Sequence, residues 1–258
     1  MRIIAHRGAC ARAPENTLAA FRLALRAGVG MIELDVHLTA DGIPVVIHDA
    51  TLSRTTDGEG RVAERTLADL RGLSAGAWFD ERFRNERVPS LEEVFRLVGR
   101  RAEINVEIKG EAEAVAQTAG AALAIARESG ALDRTLFSSF DPDALVHCRR
   151  ESARARLALL TGWTTLASPG AADPADVDER VRARHSAWGH LALEAANLHR
   201  ALASPSLVRA LHGDGYAVYL YKVDEPSAVQ AFERMGVDGV FADDPVPLLA
   251  RWPTDAAR

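Results

Sequence analysis

Strand-like and helix-like runs alternate along this chain from end to end, and that alternation restricts its fold more than any other feature. The strand candidates are Arg2–His6, Met31–Leu38, Val45–His48, Glu103–Lys109, Thr135–Ser139, Arg156–Leu160, His190–Leu193, Ala217–Tyr221 and Gly239–Ala242. Helical patterns fall between them, over Asn16–Ala27, Leu91–Val98, Glu113–Glu128, Pro142–Arg150, Pro174–Arg184, Ser206–His212 and Ser227–Arg234. Strands separated by helices at this spacing build βαβ units and a parallel sheet. Val45–His48 follows Asp41-Gly42, a two-residue hairpin signal, so it reads as a β-ribbon on the second strand. Eight strands then remain, the number of a closed barrel. The expected class is α/β, a (β/α)8 TIM barrel forming one domain over residues 1–258, with the ribbon and a small insertion at about residues 50–89 after strand two. A doubly wound open sheet is the alternative, because periodicity does not show closure. Thr164–Asp176, with its Ser, Pro and Gly content, is expected to be a loop.

Length and composition agree with that class. The chain has 258 residues, 48% hydrophobic and 26% charged, which excludes a disordered or fibrous protein. A net charge of −5 leaves no electrostatic footprint for nucleic acid. Cys10 and Cys148 make neither a disulfide framework nor a metal-type pair. No apolar run reaches the length of a membrane helix, and the N-terminus enters a strand directly. The expectation is a cytoplasmic protein with no integral membrane segment.

Charged residues sit where a barrel should be apolar. Alternate side chains of a barrel strand face the interior. In Glu103–Lys109, Ile104, Val106 and Ile108 share the helix face, so Asn105, Glu107 and Lys109 point inward. In Met31–Leu38 the same alternation turns Glu33, Asp35 and His37 inward. Burying such charges costs several kcal/mol each unless they pair or bind an ion. Glu33, Asp35 and Glu107 are hard oxygen donors suited to Mg²⁺ or Ca²⁺. The other reading pairs Glu107 with Lys109 and leaves the rest to arginines. Two histidines, His6 and His48, end strands beside this cluster and suit acid-base chemistry. His147, His185, His190, His199 and His212 are read as structural. Arg7 offers a planar fork for phosphate, and Gly8 lets backbone approach closely. In Glu15-Asn16-Thr17, Asn16 or Thr17 is expected to cap a helix.

Together these residues resemble the glycerophosphodiester phosphodiesterase family. The resemblance runs in order through His6-Arg7-Gly8, Pro14-Glu15-Asn16-Thr17, Glu33-Leu34-Asp35-Val36, Thr39-Ala40-Asp41-Gly42, His48-Asp49 and Glu107-Ile108-Lys109. It continues through Ser139-Phe140, Gly215-Tyr216-Ala217-Val218 and Gly236-Val237-Asp238-Gly239. It implies a barrel that hydrolyses a small-molecule glycerophosphodiester to glycerol 3-phosphate and an alcohol with one divalent cation, Mg²⁺ or Ca²⁺. Carried over, Glu33, Asp35 and Glu107 hold the metal, His6 and His48 form the acid-base pair, and Arg7 and Lys109 contact phosphate. Glu15 takes a supporting, orienting role. A cyclic phosphate formed by the glycerol 2-hydroxyl is the route the resemblance favours; direct attack by water bound to the cation is the alternative.

The chain departs from the family pattern late. Tyr221-Lys222-Val223-Asp224 stands where Trp-Thr-Val-Asn is usual, and Ala242-Asp243-Asp244-Pro245 where Thr-Asp-x-Pro is usual. Tyr221 still offers an aromatic wall to substrate. Lysophospholipase D activity is a competing reading, with Trp78 and Phe79 as candidates for an apolar rim; a catalytically inactive phosphate-binding barrel is another. A zinc hydrolase lacks the clustered His and Cys it would need. Of 31 basic residues only Lys109 and Lys222 are lysines. Lys109 falls on the inward face, whereas Lys222 alternates out of phase with Tyr221 and belongs on the helix side or the rim.

Overall fold

A computed structural model describes residues 1–110, 114–162, 166 and 174–253. Its nine strands are β1 (Arg2–Ala5), β2 (Met31–Leu38), β3 (Pro44–Val46), β4 (Glu103–Ile108), β5 (Thr135–Ser139), β6 (Arg156–Thr161), β7 (Ala195–His199), β8 (Ala217–Tyr221) and β9 (Gly239–Ala242). The parallel order β1-β9-β8-β7-β6-β5-β4-β2 closes on itself through pairing of β1 with β2, where Ile4 meets Met31. Closure excludes the open sheet and establishes the TIM barrel. β3 runs antiparallel to β2, with Val36 opposite Val46, as the hairpin signal requires. It is shorter than expected, and His48 lies beyond it. The strand edge past Val45 is taken up by the chain near Pro89, whose carbonyl accepts from the Val46 N–H at 2.8 Å.

One expected strand is misplaced. His190–Leu193 is not extended: Gly189–Leu191 form a 3₁₀ turn ended by Ala192 at φ 49°. The strand is β7, five residues later, and its Ala195-Ala196-Asn197 start lacks the β-branched residues that mark strands. The expected loop Thr164–Asp176 lies largely outside the described residues.

The long outer helices are α1 (Leu18–Ala27), α3 (Leu91–Val98), α4 (Val115–Glu128), α5 (Pro142–Glu151), α6 (Pro174–Ala187), α7 (Pro205–Gly213) and α8 (Pro226–Met235). The short helices are α2 (Leu67–Arg71) and α9 (Pro245–Leu249). Each strand gives one face to these helices. Ile32, Leu34 and Val36 of β2 and Ile104, Val106 and Ile108 of β4 lie in the large core between sheet and helices. The other face fills the barrel only at one end, where Ile4, Met31, Leu136, Ala158, Ala195, Tyr219 and Phe241 form an apolar plug. The inward residues above the plug are mostly polar, with Leu160 of β6 an apolar exception. Between β3 and α3 a second small core of Val45, Ile47, Leu52, Val62, Leu70, Ala75 and Val88 holds the insertion against the mouth. No helix among the described residues is long and apolar enough to cross a membrane.

Candidate active site

The site is built at the C-terminal ends of the strands, on the plug. β2 and β4 pair with Glu33 opposite Asn105 and Asp35 opposite Glu107, so one register sets all three acidic side chains on the same inner wall. Glu33, Asp35 and Glu107 are buried, and their carboxylate oxygens converge within 4.8 Å of one another. The cations near them are few. Lys109 donates to Glu107 and sits 3.1 Å from Asp35 Oδ1, while Arg7 Nε lies 3.2 Å from Asp35 Oδ2. Glu33 accepts only the Arg7 backbone N–H, at 2.8 Å, and its other oxygen is buried without a hydrogen-bond donor among the described residues.

The charges respond accordingly. Burial, joined by repulsion from Asp35, raises the Glu33 carboxyl well above the ordinary range. Burial also raises Glu107, with Lys109 opposing and Asp35 adding. Asp35 goes the other way: burial would raise it, but Lys109 and Arg7 outweigh that and hold it ionised. The expected alternative pairing is thus half realised, for Lys109 and Arg7 are engaged, yet Glu33 keeps an orphaned oxygen. Three hard carboxylates with an unsatisfied buried oxygen fit a cation that prefers oxygen donors, and this cluster could hold one. His6, Cys10 and Asp243 also converge within 4.8 Å. There burial pushes the Cys10 thiol far up, and it donates to Asp243, so it stays a neutral hydrogen-bond donor rather than a thiolate ligand.

Each expected histidine leans on an aspartate. His6 follows β1, with Nδ1 2.6 Å from Asp243 Oδ1 and Nε2 4.0 Å from Glu33. Burial would lower its pKa, but the Asp243 hydrogen bond and the Glu33 charge leave it raised. His48 Nδ1 lies 2.6 Å from Asp49 Oδ1, and burial together with Lys109 and Arg7 lowers its pKa despite Asp35. His37 Nε2 lies 3.0 Å from the His48 carbonyl and fixes that turn. Asp49 is in turn gripped by Arg54 at 2.6 Å. Arg54 also holds both oxygens of Glu15 at 2.8 Å, and Glu15 accepts from Arg7 at 2.9 Å. Glu15 therefore bridges two arginines, Arg7 and Arg54. Of the two cap candidates, Thr17 caps α1 by accepting from the Ala20 N–H. Asn16, at φ 57°, instead donates to Asp35 at 2.9 Å.

A cavity of about 390 Å³ joins these groups to the opposite wall. It reaches Leu160, Asn197, His199, Tyr221 and Lys222 at the ends of β6, β7 and β8. Tyr221 donates to the Thr161 carbonyl at 3.1 Å and meets His199 edge-on, with ring centroids 5.4 Å apart. His199, expected to be structural, is a cavity wall. Asn197 is fully buried, and neither polar atom of its side chain has a partner among the described residues. Both residues were hidden from sequence reasoning by the misplaced strand: once β7 is placed, its alternation alone turns Ala195, Asn197 and His199 inward. Lys222 is at the rim, exposed, at φ 66°. Trp78 and Phe79 do not line the cavity; they pack edge to face on each other at 5.6 Å within the insertion.

Comparison with known proteins agrees across the chain. The model of the Glycerophosphoryl diester phosphodiesterase family matches residues 6–246. A curated glycerophosphodiester phosphodiesterase from Caldanaerobacter subterraneus subsp. tengcongensis is 35% identical over 252 residues, 96% of this chain and 96% of the relative. Among solved structures, an Oleispira antarctica phosphodiesterase in complex with the product sn-glycerol-3-phosphate matches with a TM-score of 0.86 and 30% identity, over 98% of this chain and 97% of that one. A glycerophosphodiester phosphodiesterase from Agrobacterium tumefaciens matches with a TM-score of 0.78 and 28% identity, over 97% of this chain and 99% of that one.

Proposed function

This chain belongs to the glycerophosphoryl diester phosphodiesterase family and is a phosphoric diester hydrolase; from that premise we propose that its barrel mouth cleaves glycerophosphodiesters to glycerol 3-phosphate and an alcohol by acid-base catalysis between His6 and His48. The observation that carries the proposal is the convergence on one cavity of two aspartate-oriented imidazoles with Glu33 and Glu107, two members of the buried three-carboxylate cluster. The product bound in the Oleispira antarctica relative supports the same substrate class.

Glu33, Asp35 and Glu107 would hold one divalent cation, Mg²⁺ or Ca²⁺, which when bound neutralises charge on phosphate oxygens. Arg7 and Lys109 reach the cavity with cationic groups that add to that neutralisation as charge builds in the transition state. The glycerol end lies toward the closed floor, where the Asn197 amide, unpaired among the described residues, can donate to one hydroxyl and accept from another. One histidine removes the proton of the glycerol 2-hydroxyl, whose oxygen attacks phosphorus. The other histidine protonates the departing alkoxide, giving a five-membered cyclic phosphate. Water then opens the ring with the two proton roles exchanged. The vicinal hydroxyl supplies the proximity advantage of an intramolecular attack. Asp243 and Asp49 keep each imidazole in one orientation and support its cationic form.

The test uses metal-stripped protein reconstituted separately with Mg²⁺, Ca²⁺ and Mn²⁺ and given glycerophosphodiesters and lysophosphatidylcholine. Cation-stimulated release of glycerol 3-phosphate is expected. A substrate lacking the 2-hydroxyl should not turn over, and its normal hydrolysis would discard the cyclic route. Release of choline from the lysolipid alone would move the assignment to lysophospholipase D.

A further inference from the structure

The cavity rests on the apolar plug at Phe241 and extends to the strand ends at the barrel mouth. If the constant glycerol half occupies the floor, the alcohol half, which differs from one diester to another, must leave through the mouth. On that side Phe140, His199, Tyr221 and Lys222 stand at the ends of β5, β7 and β8. Phe140 is 36% exposed and sits edge-on to Tyr221 with centroids 6.2 Å apart, so the rim presents two ring systems. Aromatic rings alone would welcome a quaternary ammonium. This rim, however, adds a cation and, among the described residues, lacks the anion such a ligand wants.

Lys222 lines the cavity, is exposed, and forms no ion pair among the described residues. The carboxylates next to it in sequence are committed elsewhere. Asp224 accepts the backbone N–H groups of Asp243 at 2.7 Å and Asp244 at 3.3 Å, and Glu225 pairs with Arg200 at 3.1 Å. Among the described residues that line the cavity, the only carboxylates are Glu33 and Glu107, both in the cluster assigned to the metal. Lys222 also occupies the left-handed region at φ 66°, a conformation that disfavours a long side chain and selects for glycine or asparagine instead.

We infer that Lys222 is a specificity-determining residue that selects glycerophosphodiesters whose alcohol carries an anionic group, such as a phosphate, over those whose alcohol is a quaternary ammonium; this rests on the hydrolase reading above. A rim cation acts mainly on encounter and orientation, so its effect belongs in kcat/KM and weakens with salt. It discriminates by repelling the wrong headgroup as well as by attracting the right one.

Three glycerophosphodiesters test this: glycerophosphoinositol 4-phosphate, glycerophosphoinositol as the neutral control of similar size, and glycerophosphocholine. Each is assayed with the cation-loaded wild type, Lys222→Asn and Lys222→Glu. Asparagine removes the charge and tolerates the left-handed backbone. Because the readout is the ratio of kcat/KM values within one preparation, loss of active protein does not alter it. The wild type should prefer the phosphate-bearing substrate to the neutral one and the neutral one to the choline diester. Lys222→Asn should lower the anionic-to-choline ratio about tenfold, and Lys222→Glu should invert the order. Raising ionic strength should narrow the ratio in the wild type and leave that of Lys222→Asn nearly constant. Equal ratios in all three proteins, or a wild-type preference for the choline diester, would overturn the inference while leaving the hydrolase assignment standing. Failure of the wild type to cleave any of the three would overturn both.

Discussion

At the scale of single residues, function depends on pairs. Neither His6 nor His48 stands alone: each places Nδ1 2.6 Å from an aspartate, so in the proposed reaction Nε2 would be the nitrogen that moves the proton. Replacing His6 or His48 by alanine should lower kcat about a hundredfold or more while the cation still raises thermal stability, since the carboxylate cluster is untouched. Turnover near wild type in either variant would remove that histidine from the reaction. Lys109 is placed more finely. Its ammonium lies between Glu107 and Asp35, and burial that would depress its pKa is outweighed by those two carboxylates. A guanidinium in that space is broader and must displace one partner. Lys109→Arg should therefore cut kcat at least about tenfold despite conserving charge, and a fully active Lys109→Arg enzyme would reduce this lysine to background. The inward positions of Glu33, Asp35, Glu107 and Lys109 were legible because β2 and β4 alternate cleanly. Asp243 and Arg54, in contrast, reach the site from 237 and 39 positions away from their partners His6 and Glu15, and no local pattern announces such pairings.

At the scale of elements, the turn between β1 and α1 does the most positioning. Arg7 at φ 53°, Gly8 at φ 84° and Asn16 at φ 57° lie in the left-handed region within ten residues of one another. The turn carries His6 and Arg7 into the mouth and lays Gly8 against α1. A Cβ at Gly8 would come within 2.7 Å of Ala20 Cβ and 2.8 Å of the Ala20 carbonyl carbon. Gly8→Ala therefore combines a left-handed penalty with a backbone overlap and should cost about 2 kcal/mol or more. For a chain of this length that is a fall in Tm of at least about 4 °C, measurable by calorimetry. An unchanged Tm would show that α1 can shift to make room. The β7 error belongs to this scale too. Leu191 and Leu193 look more strand-like than Ala195 and Ala196, yet the latter form the strand, because barrel closure needs a partner for both Leu159 and Val218 at that height. A tertiary demand overrode local propensity.

At the scale of the whole molecule, the barrel separates two electrostatic regions. The mouth holds the strained cluster of the site. At the other end, Glu103 at the start of β4 is paired with Arg2 at 3.2 Å and Arg156 at 2.8 Å, and Arg156 also grips Glu194. Burial would raise the Glu103 pKa, but Arg156 and Arg2 outweigh it and hold it below the ordinary value. A carboxylate with a depressed folded-state pKa stabilises the fold above its unfolded pKa, and that contribution disappears as pH falls through the lowered folded value. The stability gap between wild type and Glu103→Gln should therefore be full at neutral pH, about 1 kcal/mol, and close on acidification below about pH 4.5. Denaturant midpoints at pH 7 and pH 3.5 measure it, and a gap that is constant with pH would dismiss the network as a contributor. The sequence by itself determined the strand-helix alternation, the ribbon, and the inward faces of β2 and β4 with their carboxylates, because all of these follow from side-chain period along one strand. Only the tertiary structure decided that the sheet closes, that β7 brings Asn197 and His199 to the opposite wall, and that Lys222 stands at the rim. Those are facts about distant segments meeting in space, and periodicity along the chain carries no information about which ends meet.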